Sequence, residues 1–281
     1  MIHEFFPAMG TTIEVMAESD RRLGATKHLF DVHEARFSRF LPNSELSLIN
    51  SSPKTDLEVS KEMGAVLSAA KGLQMATDGR VDPGIGTAMV AWGYDRPFTE
   101  VISQAEHPID LMRGEWTIEG RRLRREAGVR FDLGGVAKGW TADRAVEEGL
   151  ALLVSAGGDV RSSLDNAQVD IGDPWGVTPA RVKLGRGALA TSSVTKRRWR
   201  VGSNEAHHII DPATMAPSLS PVLSATALCA TATEAEAAAK TLILLGIEGL
   251  QWAESRPWVD AAMVTWHDGS VFATHGWEMA A

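Results

Sequence analysis

The sequence predicts an α+β protein. Segments with helical periodicity and segments with strand alternation occur along the whole chain, but they do not follow a strict strand–helix–strand order. That mixture favours mixed sheets with packed helices over a doubly wound parallel sheet. No repeat, low-complexity linker or break in composition interrupts the 281 residues. We therefore expect a single domain that covers residues 1–281.

Helices are predicted where apolar residues recur on one stripe and where termini carry capping residues. Four segments meet these criteria: 20–37, 60–78, 138–148 and 233–245. Ser60 is a typical N-cap, and Gly79 follows the second segment as a stop signal. Gly246 ends the fourth, Ala-rich segment in the same way.

Strands are predicted where apolar residues alternate or form short runs between turn residues. The predicted strands are 11–17, 129–133, 152–156, 167–171, 180–184 and 196–201. Two hairpins are also expected. One spans 116–124 and turns at Glu119-Gly120, and the other spans 263–273 and turns at 267–270.

Composition excludes several classes of protein. The formal net charge of −8 argues against a nucleic-acid binder that relies on bulk electrostatics. Cys229 is the single cysteine, so no intrachain disulfide can form, which fits a reducing compartment. The chain has no apolar run of about 20 residues, the length that spans a membrane. Residues 1–7 lack a basic leader. We expect a cytoplasmic protein, although a chain trimmed of its leader would look the same.

Two polar segments point to a ligand site. One reads Asp132-Leu-Gly-Gly-Val-Ala-Lys138-Gly139 and lies where a strand meets a helix; the other reads His208-Ile-Ile-Asp211-Pro212. Glycine pairs and helix N-termini let backbone amides approach an anion, and Lys138 could reach a phosphate. Together they suggest a phosphate-bearing ligand with an imidazole nearby. A plain strand–helix turn and a structural histidine explain the same residues.

Other motifs allow a structural and a functional interpretation. The turn Ser155-Ala-Gly-Gly-Asp159 suits tight packing better than ligand approach. The arginines at 197, 198 and 200, around Trp199, fit a solvated strand face. The less favoured alternative is that they steer a pyrophosphate ligand toward its site. Glu236 and Lys240 are four apart on a helix, which is typical of an exposed ion pair.

Taken together, the motifs resemble the ApbE-type FAD:protein FMN transferases nearly from end to end. The matching segments are Met9-Gly10-Thr11-Thr12, the stretch 38–50, Gly79-Arg80-Val81-Asp82-Pro83, Trp92-Gly93, 132–139, 155–159, Ala190-Thr191-Ser192 and 208–212. The resemblance implies an ApbE-like α+β fold, related to the T-fold, which binds FAD in a central cleft. It also implies transfer of FMN from FAD to a threonine or serine of a target flavoprotein, with release of AMP.

The resemblance assigns roles to individual residues. Those that would line the FAD site are Met9, Phe40, Arg80, Val81, Asp82, Asp132, Lys138 and Ile210. His208 would be the base that takes the proton of the acceptor hydroxyl, and Lys138 would stabilise phosphate charge. The expected partners are FAD and an acceptor flavoprotein, with no nucleic acid and no membrane span.

The metal site departs from the family pattern. The resemblance implies magnesium held by an aspartate, by a threonine four residues on and by a glycine carbonyl, here Gly135. This chain has Glu236 and Lys240 at the two side-chain positions, and an ammonium cannot ligate a cation. We expect Lys240 to lie where the ion would be, paired with Glu236. A register slip by one would bring in Thr241 instead.

Two further functions stay open at this point. The chain could be an FAD-binding protein of the same fold that is non-catalytic or independent of metal. It could also be an FAD pyrophosphatase that passes FMN to water. Met215 stands where the family usually has glycine, and Ser193-Val194 where it favours glycine and an acidic residue. Both departures affect the loops expected around the phosphates.

Overall fold

A computed structural model describes residues 1–102, 111–172 and 180–278. The chain divides into two compact units. Unit 1 comprises Met1–Val32, Lys138–Ser193 and Ser220–Ala281, and unit 2 comprises His33–Ala137 and Val194–Leu219. The single-domain organisation expected from the sequence stays a prediction. Secondary structure is mixed, as the predicted α+β class requires.

Helices of the described residues range from one and a half to five turns. They are α1 (Asp20–Phe37), α2 (Glu45–Ser51), α3 (Lys61–Ala76), α4 (Gly86–Ala91), α5 (Ala137–Glu147), α6 (Ala232–Leu245) and α7 (Gly249–Glu254). Short 3-10 turns lie at Phe98–Glu100 and Gly246–Glu248. Within the described ranges, no helix has both the length and the apolar character needed to cross a membrane.

Strands of the described residues are mostly short. They are β1 (Ile2–Ala8), β2 (Thr11–Ala17), β3 (Asp56–Glu58), β4 (Trp116–Glu119), β5 (Arg122–Arg125), β6 (Leu153–Ala156), β7 (Asp159–Ser162), β8 (Gln168–Ile171), β9 (Ala180–Lys183), β10 (Gly187–Ser193), β11 (Arg198–Val201), β12 (Asn204–His207), β13 (Ile210–Asp211), β14 (Ala216–Pro217), β15 (Val222–Cys229), β16 (Val259–Trp266) and β17 (Val271–Ala273).

Unit 1 is built on an eight-stranded antiparallel sheet with the order β1-β2-β6-β7-β10-β15-β16-β17. Helix α6 packs on β10 and β15. Its alanines at 235, 238 and 239 are fully buried, and such small side chains let the helix axis approach the sheet. Gly139 of α5 faces the start of α6, where a Cβ would lie 2.9 Å from the carbonyl of Ala232. This glycine therefore allows close packing of two helices.

Unit 2 combines short sheets with helices α2, α3 and α4. Its sheets are β3-β5-β4 and the ribbons β11-β12 and β13-β14. Ser60 caps α3 by accepting a hydrogen bond from the backbone amide of Met63, as the sequence predicted. Gly79 has a φ of +78°, which suits the predicted stop signal after this helix.

The predicted strand 129–133 is wrong. Only an isolated bridge between Ile85 and Arg130 forms there. The backbone finds other partners: Asn50 bonds both the amide and the carbonyl of Phe131, and the amide of Asp132 donates to Pro83. Phe131 is fully buried, so the apolar pattern that suggested a strand reflects burial. A side-chain amide here replaces a neighbouring strand.

Candidate functional site

Four charged side chains meet in unit 1 and are called the four-charge cluster below. The ammonium of Lys138 lies 3.0 Å from Glu236 Oε1 and 3.2 Å from Asp159 Oδ2. The ammonium of Lys240 lies 3.1 Å from the same Glu236 oxygen. Side-chain exposure is 5% for both carboxylates, 14% for Lys138 and 19% for Lys240. Two lysines therefore share one carboxylate oxygen in a nearly buried setting.

Three separate elements supply this cluster. Lys138 lies in the first turn of α5. Asp159 begins β7 directly after the turn Gly157-Gly158, whose φ angles of +68° and +113° favour glycine. Glu236 and Lys240 lie one turn apart on α6, which starts with a capping box at Thr231. The cluster thus depends on how α5, β7 and α6 pack within unit 1.

Electrostatics within the cluster hold its charges in place. Burial alone would raise the pKa of Glu236, but the ammonium groups of Lys138 and Lys240 outweigh it and lower that pKa. Burial and the negative charge of Glu236 raise the pKa of Asp159, although Lys138 opposes the shift. Burial would lower the pKa of Lys138, but Asp159 and Glu236 raise it, so this lysine stays charged.

The structure settles two questions about α6. Glu236 and Lys240 pair, as the departure from the family pattern led us to expect, but the pair is buried and is not the exposed ion pair of the structural interpretation. Thr241 is fully buried, and its hydroxyl donates to the carbonyl of Ala237 at 2.8 Å. That bond ties Thr241 to its own helix, so Lys240 is the side chain that meets Glu236.

The four-charge cluster does not fit a magnesium ion. Magnesium prefers six oxygen ligands in octahedral geometry, whereas an ammonium has no lone pair to offer. Glu236 Oε2 is buried and accepts no hydrogen bond within the described residues, but Oε1 already binds two ammonium groups. Two unit charges about 4 Å apart repel by about 4 kcal/mol at an effective dielectric constant of about 20, and a divalent ion doubles that repulsion.

The rest of the described chain offers no candidate metal centre either. In the residues that the structure describes, no three His, Cys, Asp or Glu side chains converge in a way that could hold an ion. Gly135, the predicted carbonyl ligand, belongs to unit 2, while Glu236 belongs to unit 1. The assignment of Gly135 and Glu236 to a metal stays a prediction, and the chemistry of Lys240 speaks against it.

Met9 lies in the tight turn that joins β1 to β2. Ala8 and Thr11 pair across this turn, and both central residues, Met9 and Gly10, have positive φ angles of 51° and 68°. Such a turn favours Asn-Gly, so a methionine here is strained by about 1 kcal/mol. The Met9 sulfur lies 4.0 Å from the hydroxyl of Thr141. A strained, non-glycine residue is compatible with the predicted role in FAD binding.

A buried arginine organises the predicted flavin residues of unit 2. The guanidinium of Arg39 lies 4.1 Å from the ring centre of Phe40 and 4.6 Å from that of Tyr94, and it pairs with Asp132. Its side chain is 8% exposed, and Nη2 is buried with no hydrogen-bond partner in the described ranges. Ile210 packs in the same hydrophobic cluster as Phe40 and Tyr94. Phe40, Asp132 and Ile210 are thus brought together.

Sequence reasoning missed Arg39 and Asp159 as site residues. Arg39 precedes Phe40 inside a matching motif, but its partner Asp132 is 93 residues away, and no local pattern signals that pair. Asp159 stands at the end of the second glycine motif, which was interpreted as packing. A polar residue directly after a two-glycine turn was the available signal.

Asp82 is the centre of a second buried network, called the Asp82 network below. Its oxygens accept hydrogen bonds from Gln74, from the indole of Trp116 at 2.9 Å and from the amide of Gly84 at 2.8 Å. Arg113 pairs with Asp82 at 2.8 Å, and the Asp82 side chain is fully buried. These contacts hold the loop that carries Arg80 and Val81. Direct contact of Arg80, Val81 and Asp82 with FAD stays a prediction.

The two adjacent histidines have different environments. His207 Nε2 donates to the carbonyl of Ser218 at 3.0 Å, while Nδ1 lies 3.3 Å from the amide of Ile209. Burial lowers the pKa of His207, which favours a neutral ring with a structural role. His208 lies between β12 and β13 and is partly buried. His208 is therefore the remaining candidate for a base in this segment.

Two other expectations can be compared with the structure. Arg198 pairs across the β11-β12 ribbon with Glu205, and both side chains are largely exposed, which favours the solvated-face interpretation of the arginines around Trp199.

Met215 adopts a φ of +52°, so the turn keeps the left-handed geometry that glycine would provide. The carbonyl of Met215 accepts a hydrogen bond from Trp92 at 2.8 Å. Trp92 and Trp199 then join this turn to Tyr94.

The chain has an α+β fold, and its unit 1 holds two largely buried ammonium groups of a kind that suits an anionic ligand. The family model described as "ApbE family" matches residues 9–263. The chain belongs to the ApbE family.

Its relatives include proteins named FAD:protein FMN transferase. One from Rhodobacter capsulatus is 31% identical over 97% of this chain and 57% of its own length. One from Vibrio cholerae is 26% identical over 90% of this chain and 84% of its own length. The chain thus spans little more than half of the first relative and most of the second.

A solved structure supports the fold. The crystal structure of an ApbE protein from Thermotoga maritima superposes with a TM-score of 0.85, covering 98% of this chain and 97% of that chain at 24% sequence identity. This likeness confirms the predicted ApbE-like α+β fold. The position of FAD stays a prediction.

Proposed function

We propose that this protein is an FAD:protein FMN transferase. Support comes from membership of the ApbE family over residues 9–263 and from relatives that carry this name. The structural observation that carries the proposal is the pair of largely buried ammonium groups in the four-charge cluster, since preorganised cations stabilise charge on phosphates.

The proposed reaction is an attack by a serine or threonine hydroxyl of a target flavoprotein on the phosphorus of the FMN half of FAD. The new bond joins the acceptor oxygen to that phosphorus. The bond from the same phosphorus to the bridging oxygen breaks, and AMP leaves. The hydroxyl proton goes to the imidazole of His208, since histidine is the side chain that most often serves as a general base.

The residues proposed to contact FAD are those that the family resemblance assigns, namely Met9, Phe40, Arg80, Val81, Asp82, Asp132 and Ile210. Lys138 would neutralise charge that develops on the phosphates. Magnesium is not part of this proposal, because Lys240 stands where the family pattern has a threonine that ligates the ion.

We also propose a cytoplasmic location.

Two related functions make different predictions. A non-catalytic FAD-binding protein would take up FAD and release no AMP. A pyrophosphatase would release AMP and free FMN without an acceptor. A transferase would release AMP and add FMN to the acceptor. One assay therefore separates all three.

The test uses purified protein, FAD and a peptide that contains Ser-Gly-Ala-Thr, with AMP measured by chromatography and the peptide by mass spectrometry. We expect AMP release and a peptide heavier by the mass of one FMN less one water. His208→Ala should lose turnover and keep FAD binding, whereas His267→Ala, which removes an exposed imidazole, should keep both. AMP without a heavier peptide would favour the pyrophosphatase, and uptake of FAD without AMP the binding protein.

A further inference from the structure

Helix α6 carries a cation at a position where a metal site would need an oxygen. Lys240 lies one helical turn after Glu236, and its ammonium is 3.1 Å from Glu236 Oε1. The neighbouring ammonium of Lys138 lies 3.0 Å from the same oxygen. One carboxylate oxygen thus binds two ammonium groups, which holds two cations side by side, while Glu236 and Asp159 supply two compensating negative charges.

The surroundings keep this charge out of bulk water. Glu236 and Asp159 are 5% exposed, and Lys240 is 19% exposed. Water screens such groups less than surface charges. Of the four side chains in the cluster, Lys240 keeps the largest exposed fraction. An ammonium has three hydrogen donors, and Glu236 accepts one of those of Lys240.

A diphosphate ligand needs cations near its oxygens, and the ammonium groups of Lys138 and Lys240 are such cations. Phosphoryl transfer depends on cations that neutralise the phosphate oxygens and position them, and lysine and divalent ions both serve this purpose. A fixed ammonium is present before the ligand arrives, whereas a dissolved ion must be bound and partly dehydrated. The two lysines therefore place preorganised ammonium groups where phosphate oxygens could accept hydrogen bonds from them.

We infer that Lys240, together with Lys138, replaces a divalent ion in this protein, so that FAD is bound through its phosphates without any metal. This inference rests on the proposed function, because it assumes that the diphosphate of FAD is the ligand of the four-charge cluster. It makes Lys240 a binding residue and makes the protein insensitive to chelators.

The first experiment measures the affinity of the whole purified protein for FAD by isothermal titration calorimetry, once in excess EDTA and once in excess magnesium chloride. We expect the two dissociation constants to agree within about twofold. Binding that appears only with magnesium would overturn the inference and leave the proposed function standing. Absence of FAD binding under both conditions would remove the proposed function, and the inference with it.

The second experiment uses Lys240→Thr, which removes the ammonium and adds a hydroxyl. In EDTA we expect FAD affinity to fall at least about tenfold, since a charge-assisted hydrogen bond to the phosphates is lost. Added magnesium should restore part of that loss, because Glu236 and the new hydroxyl offer oxygen ligands. Lys240→Arg keeps the positive charge and should keep FAD binding in EDTA.

Controls separate this effect from a general loss of charge or of folding. Lys61→Thr removes an exposed helical lysine and should leave both dissociation constants unchanged. Circular dichroism melting checks that each variant is folded. Unchanged FAD affinity of a folded Lys240→Thr variant in EDTA would overturn the inference, and the comparison of wild-type protein in EDTA and magnesium decides it independently of any variant.

Discussion

The four-charge cluster and the Asp82 network both contain buried carboxylates that the sequence pointed to, but their partners differ. Asp82 is surrounded by donors: an amide side chain, an indole, a backbone amide and a guanidinium. In the four-charge cluster, Glu236 Oε1 binds two ammonium groups, while the buried Oε2 accepts no hydrogen bond in the residues described.

This difference separates a structural charge from a candidate functional one. A buried carboxylate with well-placed donors stabilises the loop around it, and its removal leaves those donors unsatisfied. A buried carboxylate oxygen without a donor costs free energy, and such a cost is tolerated where a ligand or function compensates for it. The comparison predicts that variants of the Asp82 network mainly lose stability and that variants of the four-charge cluster mainly lose FAD chemistry.

The largest effect is expected for Asp82→Ala. Because three hydrogen-bond donors lose their acceptor and Arg113 loses its partner, the free energy of unfolding should fall by about 3–5 kcal/mol. Urea denaturation followed by tryptophan fluorescence measures this change. Asp95→Ala removes an exposed carboxylate paired with Arg96 and should leave stability nearly unchanged. Equal stability of the two variants would contradict the structural role of Asp82.

Lys138→Met tests the prediction that variants of the four-charge cluster mainly lose FAD chemistry. Loss of a preorganised cation near the phosphates should lower the rate of AMP release by about a hundredfold or more. Lys61→Met, at an exposed helical position, should leave that rate unchanged. A Lys138→Met variant that is folded and fully active would show that the four-charge cluster has no part in FAD cleavage.

Arg39→Met is expected to have an intermediate effect on stability. The guanidinium contacts two aromatic rings and pairs with Asp132, so its loss should reduce the free energy of unfolding by about 2 kcal/mol. Arg39→Lys keeps the charge and loses the planar stacking, which should recover only part of that loss. Thermal melting distinguishes the two variants. Full recovery with lysine would mean that charge alone matters at this position.

Met9→Asn should have the smallest effect and the opposite sign. Asparagine tolerates a positive φ in a turn followed by Gly10, so the free energy of unfolding should rise by about 0.5–1 kcal/mol. FAD affinity should fall if the Met9 side chain contacts FAD as proposed. Melting and FAD titration of the same variant measure both quantities. A variant that is more stable and binds FAD as tightly as wild type would remove Met9 from the site.

Local sequence signals predicted much of the secondary structure. The helix predicted at 20–37 coincides with α1, and the hairpin predicted near 119–120 joins β4 and β5. These elements depend on periodicity, caps and turn residues, which act over a few positions. Strands β10 and β15 in the middle of the large sheet were not predicted. In β15, burial on both faces removes the alternation that marks a strand.

The site could be predicted only in part, because its contacts join residues that are far apart in the sequence. The motifs placed Phe40, Asp132, Lys138 and Glu236 among the candidates, and the helical spacing of four residues predicted that Lys240 could reach Glu236. Nothing local indicated that Asp159 would join Lys138, because the two residues lie on different elements, β7 and α5, which only the tertiary packing of unit 1 brings together. The status of Asp82 as a structural centre also depended on Trp116 and Arg113, which are distant in sequence.

By itself, the sequence determined the fold class, the family motifs and the presence of a lysine where the family pattern has an oxygen ligand. Tertiary structure decided which charges are buried, which of them meet and which carboxylate oxygen has no donor. The physical reason is that capping and periodicity are properties of neighbouring residues. Burial and charge pairing instead depend on elements far apart in the chain that packing brings within about 3 Å of one another.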